Sequence, residues 1–294
     1  MIIYYDNGNI PLLRKYFMES GSSFLPLYRN LVTQSLDTLT GRRFRPKRLI
    51  YSRCPEIPEK EPLIVFDTKT SPEYFQWLCR NYPEHRVILW FWNPVENPAE
   101  LDYLPKKVEV WSYSLNDCRQ YGLNYNTPFY FDSVVSGDRE QKASDQRIRP
   151  WVFFAGREKG RKAALDNISE QLKSAGAEVK IYLMPNHGRR GLIPYARILD
   201  GVKRSDILLD YYVNPDSGPS LRTMESLFFG KKLITNNRMI REYDFYRSEN
   251  IYILGEENRS LKEFFDGKCY SVEQETIDRY LFTNWLGRFE HSDD

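Results

Sequence analysis

The sequence predicts an α/β fold of two domains, each built on a largely parallel sheet, facing a cleft. Three observations carry this. Short apolar runs of strand length alternate with helix-period segments along nearly the whole chain. The alternation is interrupted once, where SVVSGDREQKASDQRIR (133–149) is polar, charged and poor in apolar residues, and it restarts at Trp151. Strands separated by helices or long crossovers imply parallel pairing, and ligands then bind beyond the carboxyl ends of the strands. At 294 residues, 41% of them hydrophobic, the chain has enough length and apolar content for two such cores.

The elements follow in order. Residues 2–5 form a strand, and Asp6-Asn7-Gly8-Asn9 turns the chain at its end. Helical spacing covers 26–39, and 48–52 reads as a strand. Residues 63–66 form a strand ending at Asp67, 72–80 a helix, and 86–92 a buried strand ending at Asn93-Pro94. A strand at 108–111, a short helix at 115–121 and a strand at 129–131 complete the first half. In the second half WVFFAG (151–156) is a strand ending in glycine. A helix at 161–175 with Gly176 past its end, a strand at 178–183 and a helix at 194–204 follow. After the central stretch described next come a strand at 251–254 and a short helix at 261–265. Residues 272–289 have helical spacing through Ile277, Tyr280, Leu281, Trp285 and Phe289, and that apolar face is expected to pack back on the first domain. The domains are drawn as 1–140 and 150–270, with a C-terminal helix at 271–294.

Residues 205–237, SDILLDYYVNPDSGPSLRTMESLFFGKKLITNN, organise the second domain as strand, loop, helix and strand. The loop through Asp216, Ser217, Gly218, Pro219 and Ser220 delivers backbone N–H groups to a helix that starts at Leu221, a natural seat for phosphate. Glu225 lies four places after Leu221 and three before Phe228, against the apolar face, with Arg222 and Ser226 on the solvent side. A carboxylate there must be hydrogen-bonded, either by ligand hydroxyls or by the protein itself. Phosphate donors at the helix start and a carboxylate beyond suit a nucleotide diphosphate and its ribose.

Composition removes other classes. A net charge of +2 argues against a dedicated nucleic-acid binder. The four cysteines, Cys54, Cys79, Cys118 and Cys269, are too scattered to pair as metal ligands and read as reduced thiols in a cytoplasmic protein. Because Met1 runs straight into a strand-like segment, no secretory leader is expected, and no apolar run approaches a membrane span. With only three histidines, a histidine-based zinc site is not expected. His187, in the basic loop NHGRRG, reads as surface, with a phosphate contact as the alternative.

FFAGREKGRKAALDNISEQL (153–172) and the 205–237 stretch resemble the nucleotide-binding domain of GT-B glycosyltransferases, particularly the group-one transferases of bacterial lipopolysaccharide and capsule assembly. The resemblance covers about residues 151–255; the first half matches weakly. It implies two Rossmann-like domains facing a cleft and transfer of a sugar from a nucleotide sugar to a surface glycan or glycolipid. It further implies donor-phosphate contacts from Arg157 and Lys159, with Arg161 or Lys162 beside them, and ribose contacts from Glu225. The sequence departs from the family at Ser217, where many members carry a second glutamate facing the donor sugar; Asp216 stands next to it as a substitute. The chain has no Asp-any-Asp triplet, so the leaving diphosphate is expected to be held by cations and helix amides without a metal cofactor. An inverting reaction needs a base on the acceptor side, and Asp6 and Asp67, both at strand ends, are the candidates, with turn or cap roles as the alternative. The cluster Arg42, Arg43, Arg45, Lys47 and Arg48 is read as a contact for anionic lipid headgroups on the inner membrane face or for RNA, against an ordinary solvated loop. A non-catalytic nucleotide-sugar-binding protein on the same scaffold is the main rival to the transferase reading.

Overall fold

Runs such as Leu63–Phe66, Ile207–Asp210 and Lys232–Thr235 are buried at every position, as strands are when a parallel sheet is covered on both faces. A computed structural model describes residues 2–5, 23–40, 49–53, 61–67, 71–135, 148–186, 191–256 and 258–289. The chain divides into two units, residues 1–127 with 282–294, and residues 128–281. Each unit is an α/β unit with one all-parallel, Rossmann-like sheet.

In the first unit the strands are β1 (Ile2–Tyr5), β2 (Ser23–Pro26), β3 (Leu63–Phe66), β4 (Val87–Phe91), β5 (Val108–Ser112) and β6 (Asn124–Tyr125), in the spatial order β2-β1-β3-β4-β5-β6. The order reverses between β1 and β3, the place where such sheets open a crevice at their carboxyl edge. Helix α1 (Leu31–Leu39) precedes β3, and α2 (Pro72–Asn81) follows it, starting at Ser71 with proline in its first turn. Tyr74, Phe75, Trp77 and Leu78 of α2 pack on Leu63, Val65, Val87 and Leu89, which form the core of this unit. Helix α3 (Leu115–Tyr121) connects β5 to β6 and ends at Gly122 with φ +65°.

The second unit begins with the single-turn helix α4 (Asp132–Val135) and then β7 (Trp151–Arg157), α5 (Lys162–Ser174), β8 (Glu178–Met184), α6 (Tyr195–Arg204) and β9 (Ile207–Asp210). Helix α7 (Leu221–Phe228), β10 (Lys232–Thr235), β11 (Ile251–Ile253), α8 (Leu261–Asp266) and α9 (Gln274–Asp278) complete it. The strand order β11-β10-β9-β7-β8 reverses between β7 and β9. Gly201 lets α6 approach β7: a Cβ there would lie 2.3 Å from the Phe153 ring.

Several local expectations are corrected. Residues 26–39 are not one helix: Ser23–Pro26 is an edge strand, and the helix starts only after Asn30, whose side chain and Thr33 cap each other reciprocally. The strands expected at 48–52 and 129–131 reduce, among the described residues, to single bridges, Tyr28 with Tyr51 and Tyr130 with Leu281. The C-terminal segment is two short helices, α9 and α10 (Phe282–Gly287). They are separated because Tyr280 turns inward, its hydroxyl bonding Asp244 and its carbonyl accepting the Tyr130 N–H at 2.8 Å. From Phe282 onward the chain belongs to the first unit, where Trp285 packs on Trp90 at 5.1 Å and Phe289 on Trp111 at 5.1 Å. Residues 136–147 of the polar stretch, together with Asp6, the cluster at 42–48 and His187, lie outside the described residues.

Candidate functional site

In the second unit, chemistry gathers at the carboxyl ends of β7 and β9. Asp210 closes β9 and is 1% exposed. A buried carboxylate survives only with donors, and three reach it. Ser220 Oγ bonds Oδ2, Thr223 Oγ1 donates to Oδ2 at 3.0 Å, and Arg222 Nε donates to Oδ1 at 3.1 Å. Ser220 caps α7, its Oγ also accepting the Arg222 N–H at 3.0 Å. The Ser220 N–H is itself taken by the Tyr212 hydroxyl at 2.6 Å, so this amide is engaged within the protein. Arg222 does not take the solvent side expected from the helix pattern: it reaches back over the sheet to Asp210 and to the Ala155 carbonyl.

Arg161 comes to the same place from the loop after β7. Its Nε and Nη2 donate to the Arg157 carbonyl at 3.0 and 2.8 Å, and Nη1 to the Tyr211 carbonyl. The two guanidinium groups share the Phe154 ring, and Gly156 makes room for them, since a Cβ there would lie 2.7 Å from Arg161 Nη2 and 3.0 Å from Arg222 Nη1. Two cations meet one buried carboxylate directly here, with Glu158 close enough to act on Arg161 and Glu225 on Arg222. Burial first, and Arg222 second, pull the Arg161 guanidinium down to about 10, still charged at neutral pH. An anion arriving here would relieve both costs.

The other residues named from the sequence lie around this edge. Arg157 is half-buried and donates to the Pro185 and Asn186 carbonyls at 2.8 and 2.9 Å. Lys159 is exposed in a left-handed conformation, φ +46°, with its N–H on Asn186 Oδ1 at 2.6 Å. Lys162 turns outward to Asp166. Asp216 is exposed, whereas Ser217 is buried and bonds the Asn214 carbonyl at 2.9 Å. Gly218 is buried behind it, and Leu221 opens α7.

Glu225 lies inside, 1% exposed, on the apolar face of α7. Its carboxylate accepts the Tyr195 hydroxyl at 2.8 Å. The Tyr195 oxygen lies 2.9 Å from Tyr130 Oη, and with the Tyr195 proton committed to Glu225, Tyr130 is the donor of that second bond. Burial raises Glu225 to about 7 against the opposing Tyr195 bond and Arg222 charge. The carboxylate expected to meet a ribose is therefore held by a tyrosine of α6.

In the first unit Asp67 follows β3 at the reversal point. It accepts the Asn93 N–H at 2.9 Å and Asn93 Nδ2–H at 3.2 Å. Partial burial lifts it to about 6 in spite of these bonds. A cavity of about 280 Å³ opens beside it, lined also by Ser71, Phe91, Asn93, Glu96 and Glu100.

Reasoning from sequence missed Asp210, Arg222, Gly156 and Tyr195. An acidic end to the wholly apolar run ILL was a usable signal for Asp210. The others depend on which strands and helices are neighbours.

No family model matches the chain, and no curated protein matches it in sequence. Among solved structures, the N-terminal domain of Candida albicans trehalose-6-phosphate phosphatase matches with a TM-score of 0.55 at 9% identity, over 98% of this chain and 87% of that one. That likeness is one of fold. The glycosylation-associated protein (Gap123) complex of Streptococcus agalactiae matches at a TM-score of 0.41 and 12% identity, over 84% of this chain and 56% of that one. The catalytic domain of Arabidopsis thaliana starch synthase IV, bound to ADP and acarbose, gives 0.41 and 9%, over 89% and 69%.

Proposed function

We propose that the protein is a metal-independent glycosyltransferase of GT-B type, binding a nucleotide sugar through its second unit and passing the sugar to a glycan or glycolipid. The observation that supports this most is the pair Arg161 and Arg222, held together at the reversal point of β7 and β9 and beside the start of α7. We place a diphosphate at that edge, facing the Nη2 of Arg222 that its bonds to Asp210 and the Ala155 carbonyl leave over, with Arg157 at the end of β7 and Lys159 just beyond it. As the bond from the anomeric carbon to the diphosphate breaks, the departing oxygen takes up negative charge that these cations stabilise. In an inverting transfer the acceptor hydroxyl attacks that carbon and gives its proton to a base. Asp67, ionised above about 6, is our candidate. Asp216 is assigned to the donor sugar, and Glu225 to the ribose hydroxyls once Tyr195 yields its bond. The sequence resemblance alone suggests a bacterial surface glycan as acceptor.

A second reading, a nucleotide-sugar-binding protein without turnover, is favoured by the inward Ser217 and by the occupied Glu225. Melting temperature in the presence of chelator, measured across nucleoside diphosphates and their sugars, tests both, since a ligand selective for the folded state raises stability. We expect one base to raise it by several degrees, and the corresponding nucleotide sugar to be hydrolysed or transferred. A shift without turnover selects the second reading. No shift with any nucleotide removes both.

A further inference from the structure

The second unit has a cavity of about 540 Å³ at the amino-terminal ends of its strands. It opens beside Lys231, which precedes β10, Asn250, which precedes β11, and Lys203 near the end of α6. Ligands of open parallel sheets sit at the opposite ends, where Asp210 and Arg222 lie, so a nucleotide held there leaves this space empty. All the described residues that line it belong to the second unit.

Its walls are largely apolar and aromatic. Phe228 and Phe229, at the end of α7, are half-buried, and Tyr270 is 50% exposed. The backbone of Tyr270 is nevertheless pinned: its N–H donates to Asn250 Oδ1 at 2.8 Å, and its carbonyl accepts Asn250 Nδ2–H at 2.6 Å. Rings held at the wall of an open cavity present a surface that an apolar ligand would cover. The charge is one-sided. Lys203 and Lys231 line the cavity and, among the described residues, no Asp or Glu does. Lys231 Nζ donates one of its three hydrogens to the Lys203 carbonyl at 2.7 Å, which draws the two lysines together. Lys231 and the buried Lys232 are also near enough to the Cys269 thiol, on the same wall, to act on it. The acids of the neighbouring segments have other partners: Asp266 pairs with Lys262 at 3.0 Å and Glu273 with Arg247 at 3.9 Å.

We propose that this cavity is a second ligand site, separate from the nucleotide edge, that takes an amphipathic anion. Its apolar body, ring or acyl chain, lies against Phe228, Phe229 and Tyr270, and its single anionic head meets Lys203 and Lys231. A bare phosphate would leave the rings uncovered, and a neutral hydrocarbon would pair with neither ammonium. The inference stands independently of glycosyl transfer.

Fluorescence titration with 8-anilinonaphthalene-1-sulfonate, a ring-bearing monoanion that brightens in apolar surroundings, tests it on the folded chain. One saturable site with a Kd on the order of 10–100 µM is expected. Displacement by decanoate or by 2-naphthoate supports the site, and the tighter competitor identifies the body as acyl or ring. Decan-1-ol, lacking the charge, should compete at least roughly tenfold more weakly than decanoate. Ser271→Trp, at an exposed position on the wall, should fill the cavity and weaken probe binding roughly tenfold or more with an unchanged melting temperature. Wild-type protein supplies a readout that needs no variant. Saturating decanoate should slow alkylation of the exposed Cys269 by iodoacetamide roughly tenfold and leave Cys118 unchanged, as read by mass spectrometry. No saturable binding, equal competition by decan-1-ol, unaltered binding in a folded Ser271→Trp protein, or unslowed alkylation of Cys269 each overturns the proposal. Displacement of the probe by uridine or adenosine diphosphate does so too, because it puts the probe at the nucleotide edge.

Discussion

Arg161 and Arg222 hold their guanidinium groups over one aromatic ring, with Cζ atoms 4.9 and 4.6 Å from the centre of Phe154. Like charges rarely share a partly dry platform unless something fixes them. Here Arg222 is fixed by Asp210 and Arg161 by two backbone carbonyls. The arrangement keeps donors in place before any anion arrives, which is the condition for strong electrostatic stabilisation.

Arg222→Met should lower stability by about 3 kcal/mol, because it strips the cation from a buried carboxylate, and weaken nucleotide diphosphate binding by roughly ten- to a hundred-fold. Adding Asp210→Asn should recover part of the stability but none of the affinity. Chemical denaturation and calorimetry on the single and double variants measure the coupling. Additive stability losses would mean that the pair is not the unit described.

Gly156→Ala places a methyl where Arg161 Nη2 and Arg222 Nη1 already stand, so we expect a loss of about 1–3 kcal/mol from overpacking. Nucleotide affinity should fall with it. Wild-type affinity in a folded Gly156→Ala protein would place the anion elsewhere.

If Asp67 takes the acceptor proton, transfer rises as pH passes through about 6 and then levels, because the group must be ionised. Its effect on stability runs the other way. A raised carboxyl favours the folded state at low pH, and that contribution is lost as pH rises through about 6. Asp67→Asn should cut turnover by roughly 10²–10⁴ while nucleotide affinity is retained. Turnover in that variant with an unshifted pH profile assigns Asp67 to its bonds with Asn93 alone.

Glu225 makes a second pH forecast. Its folded value of about 7 exceeds the ordinary 4.5, so its stabilising contribution is present below pH 4.5 and lost as pH rises through 7. The full change is on the order of 3 kcal/mol. Glu225→Gln should flatten the stability curve across that window, and Tyr195→Phe should cost about 1–3 kcal/mol, more at pH 8 than at pH 5. If the carboxylate also serves a ribose, Glu225→Gln weakens nucleotide binding by roughly ten- to a hundred-fold, whereas Tyr195→Phe preserves it. Equal affinity in all three proteins would make the Tyr130–Tyr195–Glu225 chain purely structural.

Transfer should persist in chelator, the diphosphate being held by Arg222, Arg157 and Lys159. Activity that vanishes with chelator and returns with magnesium or manganese would refute this.

The amino-acid sequence by itself determined the alternation that makes two parallel sheets, the polar residues waiting at strand ends, and the inward position of Glu225. Each is a local matter of periodicity or turn chemistry, carried by neighbours within a few residues. Tertiary structure decided the rest. It set β9 against β7, so that Arg222, read from its own helix as solvent-facing, finds Asp210 and meets Arg161 from a distant loop. It brought Tyr195 of α6 onto Glu225, and it turned α1 so that Tyr28 draws Asp37 inward and leaves the leucines outside. A helical pattern says which side of an element is apolar. Which side faces the interior is settled by the partners that packing supplies, and a hydrogen bond to a buried carboxylate can outweigh several half-exposed methyl groups.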